Sequence, residues 1–231
     1  MNLKEFSDSF DVLLNSYSIT PEFGKIGPFE LDEYEKSIFL TTAQEEIVLE
    51  LYDGTNPKRH SFESTEENRR YLSTLVDTIS ITPITTPNSI GLTKNSQFFS
   101  LPKELWFITY ESATIEDVKA GCLNHSDILV TPVTQDEFFD IKDNPFRGPN
   151  NRRALRLDIN NNSVELISKY KLSNYKVRYL KKPTPIILVS LGDLQIEGEI
   201  GPLECKLNPV LHNSILERAV RLAILSRAGN K

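Results

Sequence analysis

Cysteine is nearly absent from the sequence: Cys122 and Cys205 are the only two in 231 residues. Two thiols so far apart cannot build a disulfide framework, and the pattern suits a reducing compartment. Met1 to Asp11 carry Lys4, Glu5, Asp8 and Asp11 without an apolar core, so no signal peptide is expected. No run approaches the roughly 20 apolar residues that span a bilayer, so no membrane partner is expected either. In such a setting the sequons at Asn124 and Asn161 read as accidental. Positive charge is also short, with 26 Lys and Arg against 32 Asp and Glu, a net charge of -6. A protein that wraps nucleic acid through its whole surface is normally basic, so any DNA contact must be local. Internal repeats and low-complexity segments are absent.

The motifs of common enzymes are missing too. Gly24 and Gly27 are too isolated to cradle a phosphate, and no Gly-Lys-Ser/Thr occurs. There is no nucleophile elbow, zincin helix or pair of CxxC motifs. One set could be imagined to hold a metal: Cys122, His125, Cys205 and His212. Six residues separate Cys205 from His212, whereas zinc motifs need tight spacing at both ends, so four residues that never meet is the better reading. Glu45, Glu46 and Glu50 share helix turns with Ile47, Val48 and Leu51, which makes them a solvated face rather than an acid/base pair. No catalytic, cofactor-binding or metal-binding residue is therefore expected, and the chain does not read as an enzyme. A hydrolase would rest on those Cys and His residues alone.

What is present fits a folded domain, at 39% hydrophobic and 25% charged residues. Leu3, Phe6, Phe10, Leu13, Leu14 and Tyr17 recur at helical spacing. Ser18 to Pro28 reads as a break. Asp32 with Glu35 predicts a capping box and Gly54 a stop; Thr42 with Glu45 predicts a second start, so this helix could be two. Ser64 with Glu67 predicts a third helix carrying Leu72, Leu75, Val76 and Ile79, ended at Thr82-Pro83. Strands are expected at Leu105–Tyr110, Ile128–Val133, Ala154–Ile159, Val164–Ile167, Tyr175–Leu180 and Ile186–Leu191. Asn160 to Asn162 makes a hairpin of two of them. Thr134 with Glu137 caps a short helix with Phe138 and Phe139. Asn208 and Pro209 open a last helix whose apolar face includes Leu211, Ile215, Leu216, Ala219, Leu222 and Ala223. The fold class is α+β: N-terminal helices, a mainly antiparallel central sheet, and a C-terminal helix packed on it. A single domain is expected over 1–231, with a helical part at 1–82, an extended linker at 83–101, a β-rich part at 102–207 and the final helix at 208–231.

Two basic clusters stand out. Arg147, Arg152, Arg153 and Arg156 surround a Gly-Pro-Asn-Asn loop next to Phe146. An aromatic flanked by arginines is a composition enriched at interface hot spots, so this loop is a candidate protein contact. Glu45, Glu46 and Glu50 are its candidate acceptors on a neighbouring copy. The second cluster mixes Tyr175, Arg178 and Tyr179 with Lys181 and Lys182. The alternative function is a nucleic-acid-binding module that uses Arg152, Arg153, Arg156, Arg178 and Lys181 within these clusters.

Three stretches carry a resemblance. They are LDEYEKSIFLTTAQEEIVLELY (Leu31 to Tyr52), NPFRGPNNRRALRL (Asn144 to Leu157) continued by YKVRYLKKPTPIIL (Tyr175 to Leu188), and ECKLNPVLHNSILERAVRLA (Glu204 to Ala223). Together they resemble a virion structural protein of crAss-like tailed phages, which infect gut Bacteroidetes. The resemblance implies a head-to-tail connector component similar to the adaptor ring proteins below a podovirus portal. It implies a non-enzymatic, dodecameric homo-oligomer without cofactors, in contact with the portal protein and with other connector or tail proteins. Genomic double-stranded DNA would pass through the ring without sequence-specific binding. The place would be the head-tail junction of the virion, after synthesis in the host bacterial cytoplasm.

Overall fold

A computed structural model describes residues 1–18, 30–55, 59–84, 91–160 and 162–228. The chain divides into a helical unit, Met1–Leu75 with Lys182–Lys231, and a sheet unit, Val76–Lys181.

The helical unit begins with α1, Leu3–Ser18, which buries Phe6, Phe10 and Leu14. The expected break at Ser18 to Pro28 falls almost wholly on residues 19–29, outside the described residues. Helix α2 spans Glu33–Asp53 without interruption, closed by the Asp32–Glu35 capping box and by Gly54 in the left-handed conformation, φ 80°. The second start at Thr42 does not occur: the Thr42 hydroxyl donates to the carbonyl of Ile38, one turn back, at 2.9 Å. Ser37, Thr41 and Gln44 point elsewhere. Their polar atoms meet the backbone of residues 184–188: Leu188 N donates to Ser37 Oγ at 3.0 Å, Ile186 N to Thr41 Oγ1 at 3.1 Å, and Gln44 Nε2 to Thr184 O at 2.8 Å. This corrects the strand expected at Ile186–Leu191. The segment is no strand of the sheet: Ile186 and Leu188 give their N–H groups to α2 hydroxyls, and Ile187 forms an isolated bridge with Leu203. Helix α3 is short, Glu66–Tyr71, and is capped by Thr65, one residue beyond the expected Ser64.

The last helix, α5 (His212–Ala228), follows a 3-10 turn at Pro209–Leu211 that Asn208 caps at Val210 N, 3.1 Å. It buries Ile215, Leu216, Ala219 and Ala223. Within the helical unit it packs on α2 and α1.

The sheet unit starts where the third helix was expected to continue. Val76–Ile81 is instead a strand, β1. The Val-Asp-Thr-Ile-Ser-Ile alternation turns Ile79 and Ile81 inward, and pairing with a strand a hundred residues on overrides the helical spacing. The other strands are β2 (Ser96–Ser100), β3 (Leu105–Ile115), β4 (Asp127–Pro132), β5 (Arg153–Asn160), β6 (Ser163–Ile167) and β7 (Leu172–Lys181). β2 thus lies inside the stretch read as a linker. The seven strands form one curled, mixed sheet in the order β1-β7-β3-β4-β5-β6-β2. β4 and β5 pair in parallel and the other neighbours antiparallel, including the expected β5–β6 hairpin. Phe99, Ile115, Val130, Val164, Tyr175 and Val177 belong to the core on its inner face. On the outer face Leu155, Leu157 and Ile167 meet Phe138 and Ile141 of α4, Gln135–Ile141, opened by the Thr134–Glu137 capping box. The α+β class and its order of helices, sheet and final helix agree with the sequence reading.

Candidate protein interface

The parallel β4–β5 pair needs a crossover, and the second half of that crossover is the arginine loop, residues 142–152. Its shape is held by its own backbone. Asn144 Oδ1 accepts the N–H groups of Phe146 and Arg147 at 2.9 and 3.1 Å. Gly148 N donates to Asn144 O at 2.8 Å, and Arg153 Nη1 reaches back to Phe146 O at 2.7 Å. Gly148 is required by space: a Cβ there would lie 2.6 Å from the Ile141 carbonyl oxygen and 2.7 Å from that of Asn144. The result is a fixed turn that holds Phe146 out into solvent, 83% exposed. Phe139 of α4 is also exposed, at 63%, with the Lys142 ammonium 5.3 Å from its ring centre. Beside the loop lies a shallow cleft whose walls include Leu129, Pro145, Pro149, Arg152, Arg153 and Lys169. The side chains of Arg147 and Arg152 are exposed and have no hydrogen-bond or ion-pair partner among the described residues.

Arg156 does not belong to this group. It is buried on the inner face of β5, where Nη1 donates to Glu111 Oε1 at 2.7 Å and Nε lies 3.1 Å from Asp158 Oδ1. The other Glu111 oxygen accepts from the Tyr175 hydroxyl at 2.5 Å. Burial pushes the Glu111 carboxyl above its usual range, while the Arg156 guanidinium and Tyr175 hydroxyl oppose that shift. Burial likewise pushes the Tyr175 hydroxyl up, and the Glu111 charge adds to it. This network floors a cleft of about 460 Å³ bounded by Trp106, Ile108, Pro132 and Ile159. The cleft exists because β3 pairs with β4 only over Ser112–Thr114. Pro132, at the end of β4, has no N–H to extend that ladder. A perturbed carboxylate in a cleft is the usual mark of an acid or base. Here both oxygens are already bonded within the protein, so the network is a structural one.

The proposed acceptors are also engaged within the chain. Arg218 Nη1 donates to Glu46 and Nη2 to Glu50, each at 3.0 Å, and Lys182 Nζ lies 2.8 Å from Glu45. The expectation that Glu45, Glu46 and Glu50 wait for arginines from another copy therefore meets a surface whose charges already have partners. The basic-aromatic strand also divides by face. Tyr175 and Tyr179 are buried in β7, Lys181 pairs with Asp77 at 2.7 Å, and Arg178 stands exposed. Stacking on bases needs exposed rings, which this strand does not offer.

Of the imagined metal set, Cys122 is exposed and His125, with φ 65°, lies 3.3 Å from the Asn124 amide. Cys205 Sγ donates to Gln44 Oε1 at 3.2 Å. His212 lies 2.8 Å from the Met1 ammonium and 3.1 Å from Leu207 O. Among the described residues no group of three or more His, Cys, Asp or Glu could hold a metal ion.

Sequence reasoning passed over one surface, from Val189 to Glu204. It doubles back on itself: Ile187 and Leu203 exchange backbone bonds at 3.0 Å, as do Ile196 and Glu199, and Leu191 N donates to Ile200 O at 3.0 Å. Ile187, Leu191 and Ile196 pack beneath it with Tyr34 and Leu203, while Val189, Leu194 and Ile200 are exposed. The available signal was charge, since the stretch holds Asp193, Glu197, Glu199 and Glu204 and no Lys or Arg.

This is an α+β protein with an exposed aromatic-arginine loop held by its own hydrogen bonds and a buried charge network in which both Glu111 oxygens are bonded within the chain. Over residues 1–231 it matches the family model described as phage tail ring protein 3/4. It is 52% identical over 236 residues to Ring protein 3 of Bacteroides phage crAss001, covering 100% of both chains. It is 33% identical over 240 residues to Ring protein 4/5 of the same phage, covering 100% of this chain and 95% of that relative. The chain belongs to the phage tail ring protein 3/4 family, in agreement with the resemblance carried by the three sequence stretches.

Proposed function

We propose that the chain is a non-enzymatic structural subunit of a ring in the head-to-tail connector of a tailed-phage virion. The ring is dodecameric, lies next to the portal protein and other connector or tail proteins, and lets genomic double-stranded DNA pass without reading its sequence. The whole chain, both units together, acts as one ring subunit at the head-tail junction, after synthesis in the host bacterial cytoplasm. The observation that carries this reading is the identity with Ring protein 3, which runs from end to end of both chains. The surface supports it. Ring subunits meet through two different patches, one on each neighbour. A loop with an exposed phenylalanine and arginines that have no partner among the described residues is well suited to be one of them, through Phe146, Arg147 and Arg152, with Arg153 bracing the turn.

Native mass spectrometry of the purified chain, alone and with its portal protein, tests the reading. A closed oligomer of defined copy number that co-purifies with the portal is expected. Sub-micromolar DNA binding that weakens steeply with salt would instead point to a nucleic-acid-binding module.

A further inference from the structure

Resting on the ring reading, we infer that the arginine loop of one copy docks on the acidic excursion 189–204 of a second copy of this chain. The two stretches are opposite in charge to an unusual degree. Residues 144–153 hold Arg147, Arg152 and Arg153 and no acid, while 189–204 hold four acids and no base. Lys182 takes up Glu197. Asp193, Glu199 and Glu204 are exposed and have no ion-pair partner among the described residues. The chain as a whole carries -6, so two copies repel over most relative orientations. Apposing these two stretches replaces repulsion by attraction and so selects one docking orientation.

The apolar parts also correspond. Phe146 and Phe139 stand out beside the arginines, and Leu194 and Ile200, 50% and 42% exposed, stand out beside the acids. Both surfaces are braced by their own backbone hydrogen bonds, so docking orders little that is not already ordered. The contact joins unlike patches. Each copy therefore keeps one patch of each kind for its two neighbours, and such contacts close into a ring when the rotation allows. The alternative acceptor on α2 is filled by Arg218 and Lys182.

A charge exchange tests this. One variant carries Arg147→Glu and Arg152→Glu, so that loop and excursion are both acidic. The other carries Asp193→Lys, Glu199→Lys and Glu204→Lys, so that both are basic. Every substituted side chain is exposed and without an ion-pair partner among the described residues, and circular dichroism should show both variants folded. Sedimentation velocity at about 0.15 M salt, where charges act over about 8 Å, reads the assembly. The wild type should form an oligomer and each variant alone should stay monomeric. An equimolar mixture should recover the oligomer with the two variants alternating, because every contact then joins opposite signs. If either variant alone assembles as the wild type does, or if the mixture stays monomeric beside an oligomeric wild type, the docking inference is overturned and the ring reading stands. A wild type that is monomeric at every concentration counts against self-assembly itself, and against the docking with it. A variant that keeps the oligomer and loses binding to double-stranded DNA would assign the arginines to DNA instead.

Discussion

Each unit buries a cation, and the two cations differ in where their partners lie. In the helical unit the Lys36 side chain is 4% exposed, but its carboxylates, Asp11 at 2.8 Å and Glu33 at 2.9 Å, remain 47% and 34% exposed. In the sheet unit the Arg156 side chain is 11% exposed and its partner Glu111 only 7%. Water can therefore receive the Lys36 partners if the amine is removed, and it cannot reach Glu111 in the same way. What decides the importance of a buried charge is the exposure of the group left behind.

The largest expected effect follows from that difference. Arg156→Leu strands the Glu111 carboxylate and should cost about 3–5 kcal/mol in urea unfolding followed by Trp106 fluorescence. Adding Glu111→Leu to the same chain should recover most of the loss, since an apolar pair of similar size has no charge to desolvate. If the double variant is as unstable as the single one, the network is held by more than its ion pair. Lys36→Met should cost less, about 1–2 kcal/mol, because the bonds to Asp11, Glu33 and Ser7 are replaced by water at the two carboxylates. An equal loss at the two sites would break the comparison.

The titrations should separate as well. The Glu111 carboxyl is raised above 4.5 by burial, so its contribution is fully present below that pH and is lost as pH rises through the raised value. The Lys36 amine is raised above 10.5; burial would lower it, and its bonds and charge contacts with Asp11 and Glu33 outweigh that. Its contribution is present below 10.5 and is lost only in the alkaline range, as pH rises through the folded value. Urea midpoints of Glu111→Gln and Lys36→Met across pH should each lack one of these slopes. The smallest effect on stability is expected at Phe146→Ala. So exposed a side chain should change unfolding by no more than about 0.5 kcal/mol, while assembly measured by sedimentation is lost.

Much of this was legible in the sequence wherever the determinant is local. The capping boxes at Asp32 and Thr134, the stop at Gly54, the Asn208-Pro209 start and the β5–β6 hairpin each depend on residues within a few positions of one another. Strands and partners set at long range were less legible. Val76–Ile81 fits both a helical and an alternating pattern, and only pairing with β7 decides between them. Ile186–Leu191 has the composition of a strand, yet Ile186 and Leu188 bond to hydroxyls on α2, and Ile187 and Leu191 to the excursion that follows. Arg156 looked like one of four surface arginines because Glu111, which draws it inward, lies on another strand. The candidate loop was found by composition; that its arginines divide into two unpaired, one bracing and one buried could be seen only with the turn built.

The sheet unit enters at Val76 and leaves at Lys181, at the ends of β1 and β7, whose residues Val76 and Leu180 face each other across one antiparallel pairing. Its two ends are therefore about 5 Å apart, and the helical unit is spelled by two separate pieces of chain. That arrangement dictates an order of birth. On the ribosome α1 and α2 emerge first, yet α5, the helix that covers them, is the last element made. The sheet has all its strands before α5 exists, so it can close on its own while two apolar helix faces wait for their partner. Nascent chains halted before His212 should accordingly hold a protease-resistant sheet beside protease-sensitive helices. A newly made subunit would then carry a closed sheet unit, with its arginine loop in place, before its helical unit is complete.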